Sequence, residues 1–373
     1  MLFLSFFFFS LQYINAPFLE QYLPVEQVGI VFAVTSFLSA VLLLVTPTLI
    51  RLFGIYRITI FFLIILYTAT LTLASAQHVG VLFVSWAVYF MLLPILYFVF
   101  DIFLESSIQT ESSTGGVRGV FLTMGTLAAL VSPLLASLIV SQNESYQSVF
   151  LLAAGFLIPL FFIVAYRFYG FIDPPYTQVR ITSLITTLRK NKDICNVTIV
   201  QFILRLYFAG ITIYLPIYLY QNMGMPWEHI GIMLFIMLVP YLLIEIPSGL
   251  LADKKLGEKE MLIAGLVITS LSTAALFFIS TPSLVLWSAA MFVSRIGASL
   301  VNTMSEVYFF KKVSGSNTDI ITGFRLMRPL SIVVAPLFVS AFLLSAPFHT
   351  LWLLLAVLMA TAIPAALRLR DTL

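Results

Sequence analysis

Long apolar runs separated by short polar loops extend along the whole chain. Each run has about 20 residues, the length of an α-helix that crosses the hydrocarbon core of a membrane. The strands of an outer-membrane barrel would be shorter and would alternate apolar with polar residues. The pattern therefore predicts an all-α integral membrane protein with twelve transmembrane helices. The predicted spans are residues 2–19, 28–50, 55–76, 79–104, 117–140, 146–169, 196–221, 228–251, 260–280, 283–310, 320–345 and 348–367.

The composition agrees with this pattern. The chain is 61% hydrophobic, and its mean hydropathy is +1.07. So apolar a chain is unsuited to a single soluble core, which excludes soluble enzymes and nucleic-acid-binding proteins as classes. No metal-ligand cluster, phosphate-binding loop or histidine within a span is present, so we expect no metal, no cofactor and no enzymatic activity.

The positions of lysine and arginine predict the orientation in the membrane. Basic residues occur in the loops of one side, for example Arg51, Lys312 and Arg368. The loops of the opposite side contain no lysine or arginine; they are residues 20–27, 75–80, 141–146, 222–229 and 345–350. Because basic loops stay in the cytoplasm, both termini are predicted to be cytoplasmic, in the plasma membrane or bacterial inner membrane.

The chain also contains an internal repeat. The segment Leu23–Ile30, LPVEQVGI, is similar to Met225–Ile232, MPWEHIGI, at an offset of 202 residues. At an offset of 203 residues, Gly54 corresponds to Gly257. These matches predict two six-helix halves in parallel orientation.

The two predicted halves are residues 1–170 and 196–373. Residues 171–195 between them are predicted to form a cytoplasmic linker with an amphipathic helix on the membrane surface. A solvated linker without membrane contact is the alternative interpretation.

A charged stretch, PSGLLADKKLGEKE at Pro247–Glu260, lies between the eighth and ninth spans. It resembles the signature of the major facilitator superfamily, Gly-x-Leu-Ala-Asp-Arg-x-Gly-Arg/Lys. One extra residue separates the aspartate from the second glycine. The residues that carry the resemblance are Gly249, Asp253, Lys254, Gly257 and Lys259.

The corresponding loop of the first half departs from this signature. It keeps Gly54 and Arg57 but has Arg51 where the family has aspartate. The helix number, the duplication and the linker agree with the family over essentially the whole chain.

The resemblance implies a fold of two pseudo-symmetric six-helix bundles and a motif that latches one bundle to the other on the cytoplasmic side. The residue types suit that role. Gly249 permits close helix packing, Gly257 can adopt a positive φ, and Asp253 can face a helix N-terminus. The alternative is a charged inside loop with a helix cap and no switching role.

Charges near the cytoplasmic ends of the spans follow one plan in both halves. Each charge at mid-membrane costs about 2.5–3.5 kcal/mol, so each should have a partner or a task. We interpret the acids and bases as inter-helix salt bridges at a cytoplasmic gate, with proton binding as the alternative. They are Asp101, Glu105 and Arg118 in the first half, and Glu306, Arg325 and Arg328 in the second.

Arg205 and Arg295 lie deeper within their spans. A buried guanidinium can hold a carboxylate or phosphate through two parallel hydrogen bonds, or it can satisfy backbone carbonyls and an acid such as Glu245. Other polar residues can line a central cavity or join neighbouring helices. They are Gln12, Tyr13, Asn15, Gln201 and Asn302.

Taken together, these features predict a secondary active transporter that moves a small anionic or polar solute by alternating access, coupled to protons. Glu245 and Asp101 are the first choices for proton binding because they lie deeper than Glu105 and Glu306. The alternatives are an exporter of hydrophobic compounds and a lipid-moving protein without ion coupling. We expect a monomer whose partners are a small-molecule substrate, membrane lipids and protons, with no nucleic acid.

Overall fold

A computed structural model of the chain describes residues 2–107, 111–143, 145–171, 173, 191–251, 257–313 and 318–370. Side chains are described in these ranges except at residues 104–107, 111–123, 245–246, 249–251, 318–319, 321–323 and 325–326. The regular secondary structure within these ranges is helical.

The helices have the length and surface of membrane spans. Ten helices in the described ranges are long and apolar enough to cross a membrane, and the shorter apolar helices are Leu2–Gln12 and Met327–Leu343. Many of their large apolar side chains are exposed, with Leu44 at 68% and Phe162 at 66%. Lipid covers such a surface, whereas water would disfavour it. The prediction of an all-α integral membrane protein is confirmed, and the number twelve stays a prediction.

Two compact units make up the chain: residues 1–23 with 34–177, and residues 24–33 with 178–373. In the first unit, α1 packs against α6 and α7, and α4 packs against α5 and α7. Helix α3 begins in the second unit. The helices are α1 (Leu2–Gln12), α2 (Asn15–Glu20), α3 (Val25–Phe53), α4 (Ile55–Ser75), α5 (Val79–Ser107), α6 (Glu111–Asn143) and α7 (Gln147–Arg167).

In the second unit, α8 packs against α11 and α12, while α10 packs against α11 and α13. Asn191 caps α8 by accepting hydrogen bonds from the backbone N–H groups of Asp193 and Ile194. After Pro216, α8 widens into a π-helical turn at Tyr218–Asn222. The helices are α8 (Lys192–Ile217), α9 (Trp227–Leu251), α10 (Gly257–Ala275), α11 (Leu284–Lys312), α12 (Thr318–Leu343), α13 (Leu351–Ala360) and α14 (Ile363–Leu367).

Equivalent turns precede α4 and α10. Gly54 has φ +84° and Gly257 has φ +67°, a region that glycine adopts without steric strain. The positive φ predicted for Gly257 is thus confirmed. Its repeat partner Gly54 also has a positive φ, so glycine suits both turns.

Helices α10 and α11 approach each other closely through two glycines. A Cβ atom on Gly297 would lie 2.6 Å from the carbonyl oxygen of Gly265 and 2.7 Å from the backbone nitrogen of Thr269. Small residues at such crossings let two backbones touch, and van der Waals packing then holds the helices together. The α10–α11 pair therefore forms a tightly packed part of the second unit.

We expect Gly297→Ala to lower the thermal stability of the detergent-purified protein, because the added methyl group meets backbone atoms that cannot turn away. Overpacking of this kind costs about 1–3 kcal/mol. Gly155→Ala on α7 is the matched control, since its Cβ would meet nothing within 4 Å. Equal melting temperatures for the two variants would contradict the tight α10–α11 contact.

Candidate functional site

Arg205 on α8 lies within a candidate membrane span, and its side chain is 21% exposed. Its Nη2 atom donates to Asn302 Oδ1 at 3.1 Å and forms an ion pair with Glu306 Oε1 at 3.4 Å. Both partners lie on α11, one turn apart. The structure thus brings together three residues that the sequence assigned to two different tasks, the cavity and the gate.

Gln201 binds the guanidinium group of Arg205 through its Nε and Nη2 atoms. Because a guanidinium has only donors, the amide oxygen of Gln201 faces it and accepts from Nε at 3.1 Å and from Nη2 at 2.7 Å. The amide nitrogen of Gln201 then donates to Ser305 Oγ at 2.7 Å. Gln201 is 2% exposed, so this amide fixes the guanidinium from the buried side.

Arg295 on α11 is buried, with 3% of its surface exposed. Its guanidinium carbon lies 5.7 Å from the ring centre of Tyr207 and 5.2 Å from that of Phe208, and Nη2 lies 3.7 Å from Met237 Sδ. Arginine over an aromatic face is stabilised by the ring quadrupole. This packing favours a structural role for Arg295 over contact with a solute.

The ring of Phe208 also lies 5.8 Å from the guanidinium carbon of Arg205. Phe208 is half-buried, and it meets the ring of Tyr241 edge-on at 6.1 Å. Both arginines therefore contact one aromatic side chain, and the site combines positive charge with a partly open aromatic surface.

The hydroxyl group of Tyr207 is fixed by a buried cluster on α10 and α11. It lies 2.5 Å from Ser294 Oγ and 3.1 Å from Thr273 Oγ1, and those two oxygens are 3.2 Å apart. A satisfied buried network of this kind rigidifies its surroundings. The cluster holds the Tyr207 ring in place beneath Arg295.

The polar residues predicted on the first span lie in the first unit. Asn15 donates to Tyr89 Oη at 2.7 Å and accepts from Trp86 Nε1 at 3.1 Å, and all three are buried. Asn15 thus joins α2 to α5, which agrees with the second of its two interpretations, a polar residue that joins neighbouring helices. Tyr13 is buried, and the Oε1 atom of Gln12 is buried without a hydrogen-bond partner among the described residues.

The gate residues are described only in part. Asp101 is exposed on α5, and Arg328 is exposed on α12. Arg328 lies close enough to Arg205 for the two positive charges to repel each other. The described ion pair of Glu306 is with Arg205 rather than with Arg328. The side chains of Glu105, Arg118, Glu245 and Arg325 lie outside the described residues, so their pairings stay predictions.

Asp253 and Lys254 of the loop motif also lie outside the described residues, whereas the Gly249 backbone is helical within α9. Lys259 is half-buried in the first turn of α10. In the first unit, Arg57 is exposed, and a different residue supplies an anion to the turn. The Asp173 carboxylate accepts from the Ile55 N–H, with its oxygens 3.2 and 3.3 Å away.

Sequence reasoning missed a buried ion pair beside the loop motif. Glu258, in the first turn of α10, is 1% exposed and pairs with Lys311 near the end of α11. Lys312 lies 4.0 Å from Asp193 in the first turn of α8. These pairs join the starts of α8 and α10 to the end of α11. The available signal was Glu258 itself, an acid directly after Gly257 at the start of a helix, where a carboxylate is favoured.

The family model described as Major Facilitator Superfamily matches residues 1–238 and 197–372. The chain belongs to the major facilitator superfamily. The resemblance predicted from the loop motif is therefore confirmed, and the chain is a membrane transporter rather than an enzyme. No curated protein sequence matches the chain significantly.

Solved structures of other superfamily transporters share the fold of this chain. The nucleoside transporter NupG is 14% identical with a TM-score of 0.75, and the alignment covers 99% of this chain and 96% of that one. The POT family transporter PepTSo is 14% identical with a TM-score of 0.74, covering 98% and 94%. At such identities the likeness shows the fold alone.

We expect Lys311→Met to destabilise this superfamily member more than Lys312→Met. Removing one partner of a buried pair costs about 3–5 kcal/mol because a charge stays behind in a poorly solvated place. The Lys312 pair is longer and its partner is less buried, so its loss should cost about 1 kcal/mol or less. Thermal unfolding in detergent compares the two variants, and similar losses would contradict this role of Glu258.

Proposed function

We propose that the chain is a proton-coupled secondary active transporter whose solute binds beside Arg205 and carries an anionic or polar group. The observation that carries this proposal is a cationic side chain inside a membrane span that is bound by Gln201 and two residues of α11 and is still 21% exposed. Charges in spans are costly and mark binding sites or ion pathways. Arg328 and Arg295 lie nearby and Glu306 is the acid in contact, so the described side chains around Arg205 carry an excess of positive charge.

The proposed transport cycle is alternating access by rocking of residues 1–170 against 196–373, each a bundle of six helices, with residues 171–195 as linker. The internal repeat between Leu23–Ile30 and Met225–Ile232 supports two halves. The proposed setting is a monomer among the lipids of a plasma or bacterial inner membrane, with both termini in the cytoplasm. The basic loops of one side support that orientation.

The proposed gate combines the loop motif with the charged residues at the cytoplasmic helix ends. Gly54 and Gly257 form the turns in which the latch would sit, and Arg57, Asp253 and Lys254 would supply its charges. Asp101 and Glu245 are the proposed proton-binding acids, with Gln12, Tyr13 and Asn302 as further cavity residues. Gln12 is the stronger candidate of the two in the first unit, because its buried oxygen has no hydrogen-bond partner among the described residues.

We expect Arg205→Ala to abolish the binding and uptake of anionic solutes while the protein stays folded. A solute at about 100 times its Kd stabilises the folded state by about 2.7 kcal/mol, so a thermal-stability screen with a solute library will find candidates. Uptake into proteoliposomes then tests transport. Arg368→Gln, an exposed cation near the C-terminus, is the matched control.

The variant Arg295→Ala distinguishes the role of Arg295 from that of Arg205. Because Arg295 is buried against two rings, its loss should lower the melting temperature of the protein without ligand. Solutes that stabilise wild type and Arg205→Ala equally would overturn the proposed site. Stabilisation by hydrophobic cations or lipids alone would favour an exporter or a lipid-moving protein.

We expect alanine at Asp101 or Glu245 to remove the dependence of uptake on an imposed pH gradient. A proton crossing 100 mV contributes about 2.3 kcal/mol, so uncoupling should abolish accumulation while exchange across the membrane continues. Glu260→Ala, which removes an exposed acid on α10, is the control. Uptake with unchanged pH dependence in both variants would contradict coupling through these acids.

A further inference from the structure

The terminal nitrogens of Arg205 are unequally supplied with acceptors. Nη2 has two N–H groups but three acceptor oxygens: Gln201 at 2.7 Å, Asn302 at 3.1 Å and Glu306 at 3.4 Å. Nη1 also has two N–H groups, and none of the described side chains accepts from it. One end of the guanidinium therefore has an acceptor to spare, while the other end lacks one.

Glu306 is the least firmly held of the three acceptors. Its 3.4 Å separation is long for a charge-assisted hydrogen bond, which is typically about 2.7–2.9 Å. Its side chain is 45% exposed, whereas Gln201 is 2% exposed and bonded on both sides. A half-exposed carboxylate stays hydrated when it leaves its partner, so Glu306 can be displaced at small cost.

We propose that Glu306 is an internal stand-in for the solute: it occupies the place on Arg205 that a carboxylate or phosphate of the solute takes when it binds. This inference rests on the proposed function and names the solute class of that site. Two oxygens of such a group can bind Nη1 and Nη2 in parallel, the geometry that arginine favours. Glu306 reaches only Nη2, so the solute makes a bond that Glu306 does not.

Displacement makes the solute and Glu306 competitors for Arg205. Once the solute holds the guanidinium, the Glu306 carboxylate loses that ion pair and stays hydrated. By reciprocity, removing the Glu306 carboxylate should strengthen anion binding. Among the described side chains, the charged and titratable groups that act on Arg205 are Glu306 on α11, Arg328 on α12 and Tyr241 on α9.

The first test needs no ligand. Phenylglyoxal modifies accessible guanidinium groups, and mass spectrometry of a digest follows the rate at Arg205. We expect Glu306→Gln to raise this rate several-fold, because a neutral amide covers the guanidinium less firmly than a carboxylate. Arg295, 3% exposed, is the internal control in the same digest. Glu260→Gln, which removes an exposed acid elsewhere, should behave as wild type.

The second test uses benzoate and inorganic phosphate as probes. Each should protect Arg205 from phenylglyoxal, and several-fold lower concentrations should suffice in Glu306→Gln. At equal concentrations, benzoate should raise the melting temperature more in Glu306→Gln than in wild type, because no carboxylate then competes for Arg205. Glu306→Asp keeps the charge on a shorter side chain, so it should be modified at an intermediate rate.

Two results would overturn the stand-in role. Equal rates of Arg205 modification in wild type and Glu306→Gln would show that Glu306 does not cover it. Loss of protection in Glu306→Gln would show that Glu306 helps to bind the anion. Uptake into proteoliposomes distinguishes this inference from the proposed function. If anions displace Glu306 from Arg205 but no uptake occurs, only the proposed transport function is contradicted. If uptake occurs but Arg205 is modified at the same rate in wild type and Glu306→Gln, only the stand-in role is contradicted.

Discussion

A guanidinium that lies within a membrane span needs acceptors or aromatic faces around it, and much of the packing in the second unit serves this constraint. Arg205 is held by a buried amide on its own helix and by two side chains of α11. Those contacts require α8 and α11 to keep one relative register. The glycine crossing of α10 and α11 and the hydroxyl cluster of Tyr207 hold the neighbouring helices in the same arrangement. Packing and polar chemistry thus define the site together.

The aromatic residues of this unit have a second role. Phe208 lies next to both arginines. The ring of Tyr207 packs against Arg295, while the hydroxyl group of Tyr207 forms a hydrogen bond with Thr273. Rings supply apolar area to the helix packing and a negative face to the cations. A charged pair of arginines is therefore accommodated within an interior that is otherwise apolar.

Sequence reasoning succeeded where local patterns decide the structure. The membrane spans follow from the length of apolar runs, and the positive φ of Gly257 follows from the turn. It failed where partners are distant in the chain. Glu306 was expected to pair with Arg325 and Arg328; its pairing with Arg325 stays a prediction, and the contact with Arg205, 101 residues earlier, was not foreseen. Likewise Asp173 supplies the anion at the turn after Gly54, from the far end of the first unit.

The distance in sequence between Arg205 and Glu306 affects how the protein is made. Helix α8 enters the membrane while α11 is still unsynthesised, so its arginine is inserted before its acidic partner exists. Insertion must then rely on the apolar remainder of α8, which outweighs a cost of about 2.5–3.5 kcal/mol for one central charge. Within α8 only Gln201 binds Arg205, and the contacts with Asn302 and Glu306 form when α11 arrives. Biogenesis of the second half is thus ordered, with the charged centre completed last.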